Sequence, residues 1–175
     1  MLVFACAGLD FLVKQLLKTK LTRLIATDSG AKLKFKEFVR RGLDKDPREI
    51  MNLAALIFTE ESPRDLLLSE YIKSLTGDSL QSVEQLLKVS GASGLDQQAI
   101  FSRDRMNALK DAFIVRNQII HEMDINVDGP RDQGYRTRRQ RRATEIEEYT
   151  KDILDLGHDL FVAYKVKLGV RGGTR

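Results

Sequence analysis

The stretch Ser102-Arg-Asp-Arg-Met-Asn-Ala-Leu-Lys-Asp-Ala-Phe-Ile-Val-Arg-Asn-Gln-Ile-Ile-His121 decides how the chain folds. Its apolar residues recur at the spacing of an α-helix and do not alternate as they would in a half-buried strand. At about 100° per residue, Leu109, Phe113 and Ile120 share one narrow stripe, and Ser102 is placed to cap the helix start.

The same period continues outward. Leu9, Val13, Leu16 and Leu17 line one side of a first helix from Leu2 to about Lys20. A second is expected from Ala31 to Arg41 around Phe35 and Phe38, with Ser29 as its cap and Gly42 as its stop. Asp46-Pro47 is a cap followed by a first-turn proline; it starts a third helix striped by Ile50, Leu53, Ala54 and Ile57. Ser62-Pro63 repeats that signal for a helix through Leu75, ended by Gly77. Ser79 opens a fifth helix holding Val83, Leu86 and Leu87, and the Gly/Ser stretch from Ser90 to Leu95 reads as a loop. Beyond His121, the polar segment from Asp124 to Arg142 reads as an exposed loop. Thr144 and Glu147 have capping-box spacing and start a last helix to about Lys167, with Ile146, Tyr149, Ile153, Leu156 and Leu160 inward. The expected fold is all-α: a compact antiparallel bundle of about six to seven helices, one domain over residues 1–168. The tail from Gly169 to Arg175 is expected to be mobile.

Composition removes several function classes. The 175 residues, 42% hydrophobic and 31% charged, suit a globular core and not a disordered chain. The one cysteine, Cys6, makes no intrachain disulfide and no multi-cysteine zinc site. It fits a reducing, cytoplasmic setting and reads as a small core residue. The apolar opening from Met1 to Gly8 lacks a basic leading segment and is soon followed by Asp10 and Lys14, so it is not read as a signal peptide. No later apolar run approaches the roughly 18 residues that cross a bilayer, and no membrane partner is expected. The chain begins already inside an amphipathic pattern, as a domain of a longer protein would. No glycine-rich phosphate loop occurs, and His158 has no ligand-like neighbours, so neither cofactor nor metal is expected.

Charge is mild overall, +4, but uneven. Arg131, Arg136, Arg138, Arg139, Arg141 and Arg142 lie between Pro130 and Arg142 with Asp132 as the one acid, so this segment is +5 and the remainder −1. Such clustering points to a phosphate partner, without encoding a base preference.

The chemistry gathers next to it. Arg116 falls on the apolar stripe of its helix, where a guanidinium needs partners for its five donors. Asn117 and His121, four residues apart, stack at the border of the stripe. A fixed cation, an amide and a titratable ring therefore meet beside an apolar seam. A ribose 2′-hydroxyl attacks the adjacent phosphate once its proton is removed, and an imidazole, with a reference pKa of about 6.5, suits that transfer. A guanidinium holds phosphate oxygens in pairs and stabilises the charge that builds on them. Plainer readings stand beside this one. Arg116 can be a structural residue paired with a core carboxylate. His121 can sit in the last helical turn because the helix dipole favours imidazolium there. The arginine run can be a solvated loop.

Arg116, Asn117, Gln118, Ile119, Ile120 and His121 form an Arg-x4-His string with a polar second residue. It resembles the Arg-x4-6-His motif of the HEPN superfamily, the higher eukaryotes and prokaryotes nucleotide-binding domains. The segment Ala5-Cys6-Ala7-Gly8-Leu9-Asp10-Phe11-Leu12-Val13-Lys14-Gln15-Leu16-Leu17 looks like the first helix of the RiboL-PSP group of that superfamily. The resemblance covers these two segments and the all-helical layout. It implies a homodimeric ribonuclease that needs no metal, in which the two motifs meet at the dimer interface. Arg116 and His121 would be catalytic, with Asn117 supporting them, and the seam would face the twofold axis. It also implies a toxin or defence effector controlled by an antitoxin or sensor domain. Some toxins of the superfamily carry a modifiable tyrosine two residues after the motif histidine; here that position is Met123, which puts this form of control in doubt.

Two other functions remain open from the sequence. One is a non-catalytic HEPN module that binds RNA or nucleotide, or that mediates assembly of a larger protein. The other is a helical partner-binding domain with a coincidental motif.

Overall fold

The structure, a computed structural model, describes residues 1–43, 62–122 and 139–169, together with Met51 and Ala55. The third helix expected from Asp46 lies outside the described residues. Among those described, all regular structure is helical: α1 (Leu2–Thr27), α2 (Ser29–Leu43), α3 (Pro63–Thr76), α4 (Val83–Ala92), a 3-10 turn (Ala99–Phe101), α5 (Arg103–His121) and α6 (Ala143–Lys167). No described helix is long and apolar enough to cross a membrane.

α1 organises the rest. Leu2, Cys6, Leu9, Val13, Leu17, Leu21 and Leu24 are buried at intervals of three or four residues, which keeps one face turned inward for the whole helix. That stripe carries α1 seven residues past Lys20, because Leu21, Leu24 and Ile25 stay in register among polar neighbours. Thr19 and Thr27, poor helix formers, donate their hydroxyls to the carbonyls of Gln15 and Arg23. α2, α3, α5 and α6 all pack on α1. Its neighbours differ in direction. α3 runs antiparallel: Lys18 and Thr22 face Asp65 and Leu68, while Leu80, just beyond α3, donates its N–H to Asp10. α5 and α6 run antiparallel to each other, with Arg105 against Asp159 and Gln118 against Arg141. α6 runs parallel to α1, with Leu9 and Leu12 against Gly157 and Arg23 reaching the Leu168 carbonyl.

Several helix ends differ from their expected chemistry. α2 begins at Ser29, capped by Asp28, whose Oδ1 accepts from the Ala31 N–H at 2.8 Å, and Gly42 lies inside the helix. Ser82, not Ser79, caps α4 by accepting from the Gln85 N–H at 3.2 Å. Ser90, Gly91 and Ala92 belong to α4; the chain leaves it at Gly94, where φ is +65°. There Leu95 N–H returns to the Ser90 carbonyl and Gly94 N–H to the Gly91 carbonyl, the paired closure that favours glycine. The expected capping box of Thr144 and Glu147 does not form, because α6 already begins at Ala143. Leu87 is exposed, and Ile146 and Tyr149 are half-buried, whereas Ile153, Leu156 and Leu160 are core.

The corner at Gly94 joins three elements. Lys167 at the end of α6 donates to the Gly94 carbonyl and pairs with Asp28 at 2.9 Å, while Ser93 and Tyr164 share a buried hydrogen bond. On the other side of α2, Phe35 and Phe38 pack against Tyr71 with ring centroids 5.5 and 4.8 Å away.

Candidate functional site

α5 presents its motif by packing its first three turns. Met106, Leu109, Ala112, Phe113 and Val115 are buried, so the seam that carries Arg116 is filled by this chain's own core. Ile120 lies outside it and is exposed.

Arg116 and Arg105 make an informative pair. They are 11 residues, about three turns, apart and so share a face of α5. Arg105 is satisfied by Asp159 of α6 at 2.7 Å. Among the described residues no carboxylate pairs with Arg116. Its Nη1 donates to Asn117 Oδ1 at 2.8 Å, and its half-buried side chain leaves Nε inaccessible to solvent and without a partner. The guanidinium lies near Cys6 of α1. Burial pushes the Cys6 thiol up to about 11, against the opposing pull of the Arg116 charge. The carboxylate-paired structural role for Arg116 thus has no counterpart among the described residues.

His121 ends α5 and is exposed, as is Asn117. Five residues of helix separate Arg116 from His121 by about 7.5 Å along the axis and about 140° around it. One chain therefore joins Arg116 to Asn117 but turns His121 to a different side. No described residue bonds the His121 ring.

Of the six arginines, Arg131, Arg136 and Arg138 lie outside the described residues. Of the other three, Arg139 and Arg141 bond to residues at the end of α5. Arg139 Nη1 donates to Glu122 Oε2 at 2.6 Å, and Arg141 Nη2 to Gln118 Oε1 at 2.6 Å. Arg142 is exposed where α6 begins. Two guanidinium groups are thereby anchored to residues one and three positions from His121. Glu122 is one of those anchors. No sequence rule for pairs 17 residues apart would have found it, because the contact depends on how the chain returns from α5 to α6.

Elsewhere, Phe4, Gly8, Leu12, Leu154 and Phe161 line a shallow groove of about 400 Å³ between α1 and α6, with exposed His158 on its rim. Among the described residues no cluster of His, Cys, Asp and Glu is suited to hold a metal ion. No protein-family model, curated protein or solved structure significantly matches this chain.

Proposed function

We propose that this chain is a metal-independent endoribonuclease of HEPN type, acting as a homodimer in which Arg116 of one copy and His121 of the other serve one phosphodiester. The observation that carries this reading is Arg116 itself: a half-buried cation with no carboxylate partner among the described residues. A phosphate is the partner such a group suits, and its low-dielectric setting strengthens that attraction. A second copy accounts for the divergence of Arg116 and His121 around α5. Exposed Ile114, about 20° around α5 from His121, and exposed Ile120 at the end of the helix are available to receive it.

In this mechanism His121 takes the 2′-hydroxyl proton and O2′ bonds to phosphorus. The P–O5′ bond then breaks, and the imidazolium so formed returns the proton to O5′. Arg116 stabilises the charge on the non-bridging oxygens and Asn117 orients its guanidinium. Arg139, Arg141 and Arg142, together with Arg131, Arg136 and Arg138, hold the flanking strand. Such chemistry serves a toxin or antiviral defence effector, with an antitoxin or sensor as its partner.

The test is incubation with mixed-sequence RNA in excess EDTA beside His121→Ala and Arg116→Ala. Cleavage by the parent alone, leaving a 2′,3′-cyclic phosphate, is the expected result. A 3′-hydroxyl product, or cleavage of a strand lacking 2′-hydroxyls, would sink the mechanism. The divergence of Arg116 and His121 within one chain favours, as the second reading, an RNA-binding module without catalysis. Folded, RNA-binding protein that never cleaves would select it.

A further inference from the structure

We propose that Glu122 sets the phosphate affinity of this site by competing with RNA for Arg139, a role that rests on the nucleic-acid reading above. Gln118 and Glu122 are four residues apart and share a face at the end of α5. Their bonds to Arg141 and Arg139, each 2.6 Å, form a two-rung ladder that holds residues 139–142 against the helix. His121 lies between Gln118 and Glu122 in the chain, so the ladder anchors two guanidinium groups to residues one and three positions from the one that moves the proton.

The two rungs differ in chemistry. Gln118 is neutral; its amide oxygen orients Arg141 without cancelling its charge. Glu122 is a carboxylate and neutralises Arg139. Carboxylate and phosphate use the same fork of guanidinium donors, so a strand phosphate reaching Arg139 meets Glu122 as a rival. The pair is half-buried, with side-chain exposures of 18% for Arg139 and 34% for Glu122. A pair that keeps this contact with water is still screened by salt, though less than a fully exposed one. Glu122 therefore keeps Arg139 oriented in the free protein and yields it to a polyanion. The anchoring of Arg139 and the cost of recruiting it come from the same carboxylate.

The experiment is a double-mutant cycle on the full chain. A fluorescent 2′-O-methyl RNA, which lacks the attacking hydroxyl, is titrated in EDTA against parent, Glu122→Gln, Arg139→Ala and the double variant at several salt concentrations. Glu122→Gln is expected to tighten binding on the order of fivefold. Arg139→Ala is expected to weaken it and to make the salt dependence shallower by about one ion. In the Arg139→Ala background Glu122→Gln should change nothing. Glu122→Asp, with its shorter reach, should fall between parent and Glu122→Gln. An equal gain with or without Arg139 overturns the proposal, since it would mark only a general loss of negative charge. No gain in a parent that binds RNA overturns the Glu122 role alone. A parent that does not bind RNA at low salt overturns both this role and the nucleic-acid reading.

Discussion

Arg116 is where residue-scale physics separates a functional role from a structural one. A buried donor without an acceptor costs about 1–3 kcal/mol, whereas an apolar replacement of similar shape removes that cost. Arg116→Met should therefore leave thermal stability unchanged or raise it by about 1 kcal/mol while abolishing RNA cleavage, the trade-off common at active sites. A loss above about 2 kcal/mol in denaturant melts would make Arg116 a structural residue. Its position on an apolar seam was legible from helical spacing. That no described carboxylate pairs with it was not, because Asp159 reaches Arg105 through tertiary packing.

Cys6 gives a prediction in pH at the same scale. Burial raises its thiol in the folded state to about 11 from its ordinary value of 9.0. The folded protein therefore holds this proton more tightly than the unfolded chain. The resulting stability is complete below about pH 9 and is lost as pH rises toward 11. Two pH units correspond to about 2.7 kcal/mol at most. Tyr71 and Tyr164, raised by burial to about 12, add to the loss only above pH 10. Urea melts from pH 8 to 10 should show parental stability falling while Cys6→Ala, less stable at pH 8, stays level until the tyrosines ionise. Parallel slopes for the two proteins would contradict this assignment.

At the scale of elements, the apolar period found most helices, and side-chain competition at their ends decided what it missed. Leu17, Leu21 and Leu24 extend α1 although Lys18, Lys20, Thr22 and Arg23 dilute the pattern. The cap of α2 moved from Ser29 to Asp28 because Asp28 also meets Lys167, a partner 139 residues away that local sequence cannot reveal. Burial weighs on the Asp28 carboxylate, but the Ala31 N–H and Lys167 together hold it below its usual value. The corner at Gly94 is the element-scale weak point. A Cβ there would lie 2.3 Å from Asp28 Oδ1 and 2.7 Å from Lys167 Nζ, on a backbone with φ of +65°. Gly94→Ala should cost about 2–3 kcal/mol, combining left-handed strain with loss of the ion pair. Gly8→Ala, whose Cβ would meet nothing within 4 Å, should not destabilise α1. Equal melting temperatures for the two variants would show that the corner does not constrain the fold.

The molecule as a whole has one basic segment folded back, in part, on the helix that carries the motif. Sequence could place Arg116, Asn117 and His121 on one helix and the arginines nearby. It could not show that Arg116 turns toward Cys6 while His121 ends in solvent, because helical spacing fixes angles and not what lies opposite them. That divergence yields the sharpest whole-molecule prediction. If Arg116 of one copy acts with His121 of the other, the inactive variants Arg116→Ala and His121→Ala must restore each other when mixed. A mixed dimer contains one site with both residues intact and one with neither. Random reassociation makes half the dimers mixed, so the mixture should recover about a quarter of parental cleavage. Light scattering should report a dimer throughout. A site built within one chain predicts no recovery at any ratio, and a monomer in solution leaves the composite site without its second half.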